Sequence, residues 1–139
     1  MSVSMVKDEL KSTLSKLLRD EKSIQFAYLY GSFARGKTDE NSDVDIGVYV
    51  SAEVMKKNKF YPERIAAKIE EVIKKSVDVR VLNFQSLIFL HQVLKYGELL
   101  VNNNNKKRVM FETRVYDEYL DMKYYFDLYN RIRRKRLSS

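Results

Sequence analysis

Apolar positions along this chain change their spacing several times, and each change marks an element. Val6, Leu10, Leu14, Leu17 and Leu18 recur at three- and four-residue intervals, which predicts an amphipathic helix over residues 4–20. Ile24 to Tyr30 is mostly apolar and short, as in a buried strand. From Asp43 to Val50 the period is two: Val44, Ile46, Val48 and Val50 face one side, while Asp43, Asp45, Gly47 and Tyr49 face the other. Pro62 suits a first helical turn, and Ile65, Ile69, Val72 and Ile73 form the apolar face of the helix it starts. The alternation returns in Val77 to Leu82, with Asp78 and Arg80 on the polar side. Asn83 is a candidate cap for a helix from about Phe84 to Tyr96 that Gly97 stops. Glu98 to Val101 is a short apolar segment, and Asn102 to Asn105 reads as a turn.

Residues 106 to 134 contain neither Gly nor Pro and read as one long helix with two apolar stripes on nearly opposite faces. Val109, Thr113, Tyr116, Leu120 and Tyr124 make one; Val115, Tyr119, Met122, Phe126 and Tyr129 make the other. One stripe can lie on the core, but little chain remains to cover the second. It therefore suits a protein interface, a paired second copy included, or burial between other helices. The expected fold class is α+β, a small mixed sheet with helices packed on it and a long C-terminal helix. At 139 residues the expectation is a single domain over residues 1–139, with 106–139 as terminal helix and basic tail.

Composition narrows the chemistry. Cysteine is absent, which excludes a disulfide framework and thiolate metal sites; oxygens and the single His91 are the candidate ligands, so a hard cation such as Mg²⁺ is the natural guest. His91 has apolar neighbours within its predicted helix and is given no functional role. No apolar run approaches membrane-spanning length and residues 1–20 do not look like a leader, so a cytoplasmic protein without a membrane partner is expected. The net charge of +7 is concentrated towards the end, where Arg131, Arg133, Arg134, Lys135 and Arg136 cluster. Such a run reads first as a frayed, solvated helix end and stub, and only second as a phosphate-backbone contact.

The chemistry is carried by the stretch from Gly31 to Asp45. Gly31 and Ser32 close the first strand with a turn able to offer backbone N–H groups and a hydroxyl to phosphate oxygens, and a helix start is expected just after them. Asp43 and Asp45 then stand on one face of the next strand. Carboxylates so placed can hold two Mg²⁺ about 3.5–4 Å apart, the arrangement that stabilises both the attacking and leaving oxygens of nucleotidyl transfer. Asp78 is the candidate third carboxylate, ligating metal and promoting deprotonation of the acceptor. Ser32 and Arg35 are placed on the β- and γ-phosphates, with Lys37 and Arg80 as weaker contacts. A D-x-D pair alone is commonplace on strands and a Gly-Ser pair alone is a turn; their combination at this spacing, with a third strand-borne Asp, is what points to catalysis.

Gly31-Ser32, ten intervening residues, then Asp43-Val44-Asp45 resembles the minimal nucleotidyltransferases of the DNA polymerase β superfamily, with the third family carboxylate at Asp78. Small size, Val79-Arg80-Val81-Leu82-Asn83, Lys95-Tyr96-Gly97-Glu98-Leu99-Leu100 and a terminal helix containing Tyr119-Leu120-Asp121 further resemble the MntA-type antitoxins of HEPN/MNT (type VII) toxin–antitoxin pairs. That resemblance implies a nucleotidyltransferase fold. It also implies transfer of AMP from ATP, with Mg²⁺, to a tyrosine of a HEPN-domain RNase toxin. A hetero-oligomer is then expected, contacted through Tyr119, Met122, Phe126 and Tyr129. Two alternatives stand beside it: neutralisation by stoichiometric binding alone, and nucleotidyl transfer to RNA or a small-molecule hydroxyl. RNA is disfavoured, since no stacking platform or ordered basic groove is evident.

Overall fold

The computed structural model describes residues 7–36 and 42–138. Its elements are α1 (Lys7–Arg19), β1 (Ile24–Tyr30), β2 (Val44–Val50), α2 (Ala52–Lys57), α3 (Tyr61–Ile73), β3 (Val77–Val81), α4 (Leu87–Tyr96), β4 (Glu98–Asn102) and α5 (Asn105–Ser138). The strands form one sheet in the order β3-β2-β1-β4. β1 is antiparallel to both β2 and β4, and β2 is parallel to β3, so the sheet is mixed, as the sequence predicts. A parallel pair needs a crossover, and α2 and α3 supply it.

Each sheet face is covered by a different pair of helices. Leu10, Leu14 and Leu18 of α1 and Ile65, Ile69 and Ile73 of α3 bury against Val44, Ile46, Val48 and Val50, the predicted inward set of β2. Val72, expected on the α3 apolar face, is instead half exposed at 51%. On the other face Phe26 and Tyr28 of β1 pack with Leu90 and Val93 of α4 and with Phe111 and Val115 of α5. This second cluster runs through half-buried Tyr30 up to Asp45, and Asp78 beyond it is about half exposed.

Three local details depart from the sequence expectations. The cap of α4 is Ser86, whose hydroxyl accepts the Phe89 N–H. Asn83 lies in a single 3-10 turn, Leu82–Phe84, and is bonded to both backbone groups of Val50: its Oδ1 accepts Val50 N–H at 3.0 Å and its Nδ2 donates to Val50 O at 2.8 Å. It extends the edge of β2 rather than starting a helix. Gly97 does end α4, and a Cβ there would lie 2.3 Å from the Val93 carbonyl oxygen and 2.9 Å from that of Leu29.

α5 runs for 34 residues, about 50 Å. Only Phe111 and Val115 are buried. Phe111 packs against the stacked pair of Phe26 and Tyr49, with ring centroids 5.3 and 5.2 Å away. Nearby, the Tyr28 hydroxyl donates to Glu112 at 2.6 Å and Arg108 pairs with Glu112 at 2.8 Å. The stripe that docks is therefore the one containing Val115. Its next member, Tyr119, stacks face to face on His91 at 3.5 Å, so Tyr119 is held against the molecule's own α4 rather than free for a partner. Met122 is half-buried, while Phe126 and Tyr129 are exposed, as is the whole opposite stripe. The basic cluster at 131–136 lies on the continuing helix, not on a disordered stub.

Candidate active site

The site is built from the register of three strands. The β1–β2 ladder sets Tyr30 opposite Asp45, and the β2–β3 ladder sets Asp45 level with Asp78. Two bonds hold the start of the parallel pair: Val44 N–H donates to Ser76 O at 2.9 Å, and Val77 N–H donates to Glu70 Oε1 of α3 at 2.9 Å. A one-residue slip there would turn Asp78 into the core.

Gly31 follows Tyr30 with φ +76, a left-handed conformation that disfavours any Cβ. The stronger reason for glycine is proximity: a Cβ at Gly31 would fall 2.2 Å from Asp45 Oδ2. The backbone of the turn thus lies against the carboxylate of the next strand. Residues 32–36 wind through one turn, with Arg35 N–H donating to Gly31 O and Gly36 N–H to Phe33 O, both at 3.2 Å, but no helix develops. The expected helix start at Ser32 is therefore a single turn. Phe33 and Ala34 are buried and anchor it, and Lys7 of α1 donates to Ala34 O at 2.9 Å while also pairing with Glu98.

Burial holds the Asp45 carboxyl above its ordinary range, and the negative charges of Asp78 and then Asp43 push it further, with Arg80 opposing. Asp43 stands exposed just before β2. Asp78 is paired with Arg80, Nε to Oδ2 at 3.2 Å, both side chains about half exposed. Among the described residues no three His, Asp or Glu side chains are drawn tightly enough together to hold a metal ion as the chain stands. The chemistry of the donor set would suit one: a hard divalent cation would offset the burial and the Asp78 and Asp43 charges that raise Asp45, with Asp78 giving up its pairing to Arg80. Arg35 is exposed, its guanidinium 4.5 Å over the ring of Tyr96 on α4. Lys37 lies outside the described residues.

Tyr30 and Lys7 belong to this site although the sequence reading passed over them. Tyr30 reads only as the end of the buried strand Ile24 to Tyr30, and Lys7 is one of many lysines. Burial first, then Asp45, pushes the Tyr30 phenol up, so it stays protonated.

A mixed four-stranded sheet, a glycine turn laid against one of two level carboxylates, and a third acid just upstream define a nucleotidyltransferase. Residues 12–106 match the family described as Polymerase beta, Nucleotidyltransferase, and the chain belongs to that family. It is 31% identical over 91 residues to the protein adenylyltransferase MntA of Shewanella oneidensis, a match covering 65% of this chain and 63% of that protein. The chain thus spans less than two thirds of this relative's length. Among solved structures, it is similar to a chain of a toxin–antitoxin crystal structure with AMP-PNP (TM-score 0.68, 26% identity, covering 81% of this chain and 88% of that one). The fold is also that of a chain in the complex of the tri-AMPylated Shewanella oneidensis HEPN toxin with MNT antitoxin (TM-score 0.64, 22% identity, covering 84% and 88%). Among the described residues no helix is long and apolar enough to cross a membrane.

Proposed function

We propose that this chain is an antitoxin adenylyltransferase that transfers AMP from ATP to a tyrosine hydroxyl of a HEPN-domain RNase toxin. The observation that carries the reading is the level pair Asp45 and Asp78, with the Gly31 backbone against the Asp45 carboxylate. The relative named as a protein adenylyltransferase and the similar chain from a toxin–antitoxin structure with AMP-PNP support the nucleotide and the partner class. On this reading residues 1–139 act as one minimal nucleotidyltransferase domain in the cytoplasm.

Asp43, Asp45 and Asp78 would hold Mg²⁺, which when bound supplies charge stabilisation to the attacking and leaving oxygens. The amides after Gly31 and the Ser32 hydroxyl receive the β- and γ-phosphates, and Arg35 exchanges the Tyr96 ring for a phosphate oxygen. The acceptor phenol oxygen bonds to the α-phosphorus as the α–β bridging bond breaks; pyrophosphate leaves, and the phenol proton passes to Asp78. The distal part of α5, with Phe126 and Tyr129 exposed at 59% and 56%, offers the toxin an apolar and aromatic contact.

Incubating the co-encoded toxin with ATP labelled at either the α- or the γ-phosphorus tests this. Label is expected on the toxin only from the α-position. Label from the γ-position would mean phosphoryl transfer, and no label from either would leave capture by binding as the mode of neutralisation.

A further inference from the structure

Tyr30 closes β1 directly opposite Asp45, and Asp45 is level with Asp78, so one row across the sheet reads phenol, carboxylate, carboxylate. Residues opposite one another on paired strands share a face, which places Tyr30 on the acidic side. Its ring is pinned there. It meets Phe89 of α4 edge to face, with centroids 5.4 Å apart at 89°, and the Arg80 guanidinium lies 5.5 Å over the same Phe89 ring.

The Tyr30 hydroxyl oxygen is shut off from solvent and has no hydrogen-bond partner among the described residues. A buried donor left unpaired is costly, and folded proteins rarely tolerate one. The chain shows that it can satisfy such groups elsewhere. Tyr28, two residues earlier on the same face, donates to Glu112 at 2.6 Å, and Tyr61 donates to Glu21 at 3.2 Å. The phenol left without a partner is the one beside the acidic row. Phenylalanine would fill the same space without that penalty, so the folded core alone gives no reason for the oxygen.

We propose that the Tyr30 hydroxyl is a substrate-positioning donor, giving its hydrogen bond to an oxygen that arrives with the magnesium–nucleotide. Loading the site then satisfies a donor that the free protein leaves unpaired. This inference rests on the nucleotidyltransferase reading of the site. The acceptor is an oxygen of one chemistry from either of two sources, a phosphate of the nucleotide or a water held by the ion.

Tyr30→Phe in the full chain tests it. Thermal unfolding is measured without ligand, and dissociation constants are measured for Mg²⁺ alone and for Mg²⁺ with α,β-methylene-ATP, which cannot be cleaved at the reacting bond. The free variant is expected to melt at or above the parent's temperature, and the Mg²⁺–analogue complex to weaken about ten- to a hundredfold, on the scale of one hydrogen bond to a charged group. Weakening already present with Mg²⁺ alone places the acceptor in the ion's water shell; weakening only with nucleotide places it on the phosphates. An unchanged dissociation constant for the complex, or a lowered melting temperature of the free variant, overturns the proposal. A parent protein that fails to bind the Mg²⁺–analogue at all removes the nucleotide-site reading itself, and this inference with it.

Discussion

Asp45 on β2 and Asp78 on β3 are level with one another across a parallel strand pair, and each sits where its neighbours on the same strand point into the core. The valine and isoleucine positions that bury the opposite face of the sheet therefore set the distance between the two acids. Site geometry and core packing are one constraint, because a slip of register would destroy both.

Removing the Asp45 charge is expected to stabilise the protein while disabling it. Its folded-state proton affinity is raised by burial and by Asp78 and Asp43, so the native state holds that proton more tightly than the unfolded chain. Stability associated with Asp45 is then full below the ordinary carboxyl range and declines as pH rises through the raised folded value. Asp45→Asn should melt higher than the parent at neutral pH, with the difference vanishing in acid. AMP transfer should fall at least about 100-fold. Calorimetry across pH, paired with a transfer assay, checks both halves.

The two left-handed glycines should respond differently to alanine. Both pay strain of about 1–2 kcal/mol for a left-handed side chain, with φ +76 at Gly31 and +73 at Gly36. Gly31→Ala must also displace the Asp45 carboxylate, whereas a Cβ at Gly36 meets nothing within 4 Å among the described residues. Denaturant unfolding should show similar losses, or a larger one for Gly31→Ala, while nucleotide affinity collapses only for Gly31→Ala.

Along α5, stability and binding should separate by position. Phe111→Ala removes the ring that packs on both Phe26 and Tyr49 and should cost about 3–5 kcal/mol in urea unfolding. Phe126→Ala touches an exposed ring and should change stability by less than about 0.5 kcal/mol. If the distal helix is the toxin contact, the same substitution weakens toxin binding about tenfold by calorimetric titration.

Lys7 links the phosphate turn to the far edge of the sheet by donating to Ala34 O and pairing with Glu98, which Lys11 also approaches at 3.0 Å. The Lys7 hydrogen bond is the main reason the Glu98 carboxyl lies below its ordinary range. That contribution is present above the ordinary glutamate range and is lost as pH falls through the depressed folded value. Lys7→Met should cost about 1 kcal/mol or less, raise KM for the nucleotide more than it lowers kcat, and weaken that acid-side dependence, Lys11 keeping part of it.

Strand positions were legible because one face of β2 and β3 is a run of β-branched residues that alternate with Asp45, Asp78 and Arg80; that Gly47 and Tyr49 of β2 line a second apolar cluster depends on Phe26 and Phe111 and was not. Residues that depend on a distant partner were not. Asn83 and Ser86 are both good helix caps in isolation, and what decides between them is the pair of bonds Asn83 makes to Val50, 33 positions away. α2 puts only Val54 and Met55, both half-buried, against the core, too short a face to set a helical period. The two stripes of α5 looked equivalent because Phe111, which selects the docking side, belongs to neither stripe as written. The Gly31-Ser32 turn was visible, but its contact with the Asp45 carboxylate exists only once the strands pair.

Intact-mass spectrometry of the co-encoded HEPN toxin, after incubation with ATP, Mg²⁺ and this protein, tests the central claim most directly. The toxin is expected to gain mass in whole AMP units with the parent chain and none with Asp45→Asn or Asp78→Asn, both variants remaining folded. A toxin left unmodified by the parent, or modified equally by the parent and either variant, would contradict it.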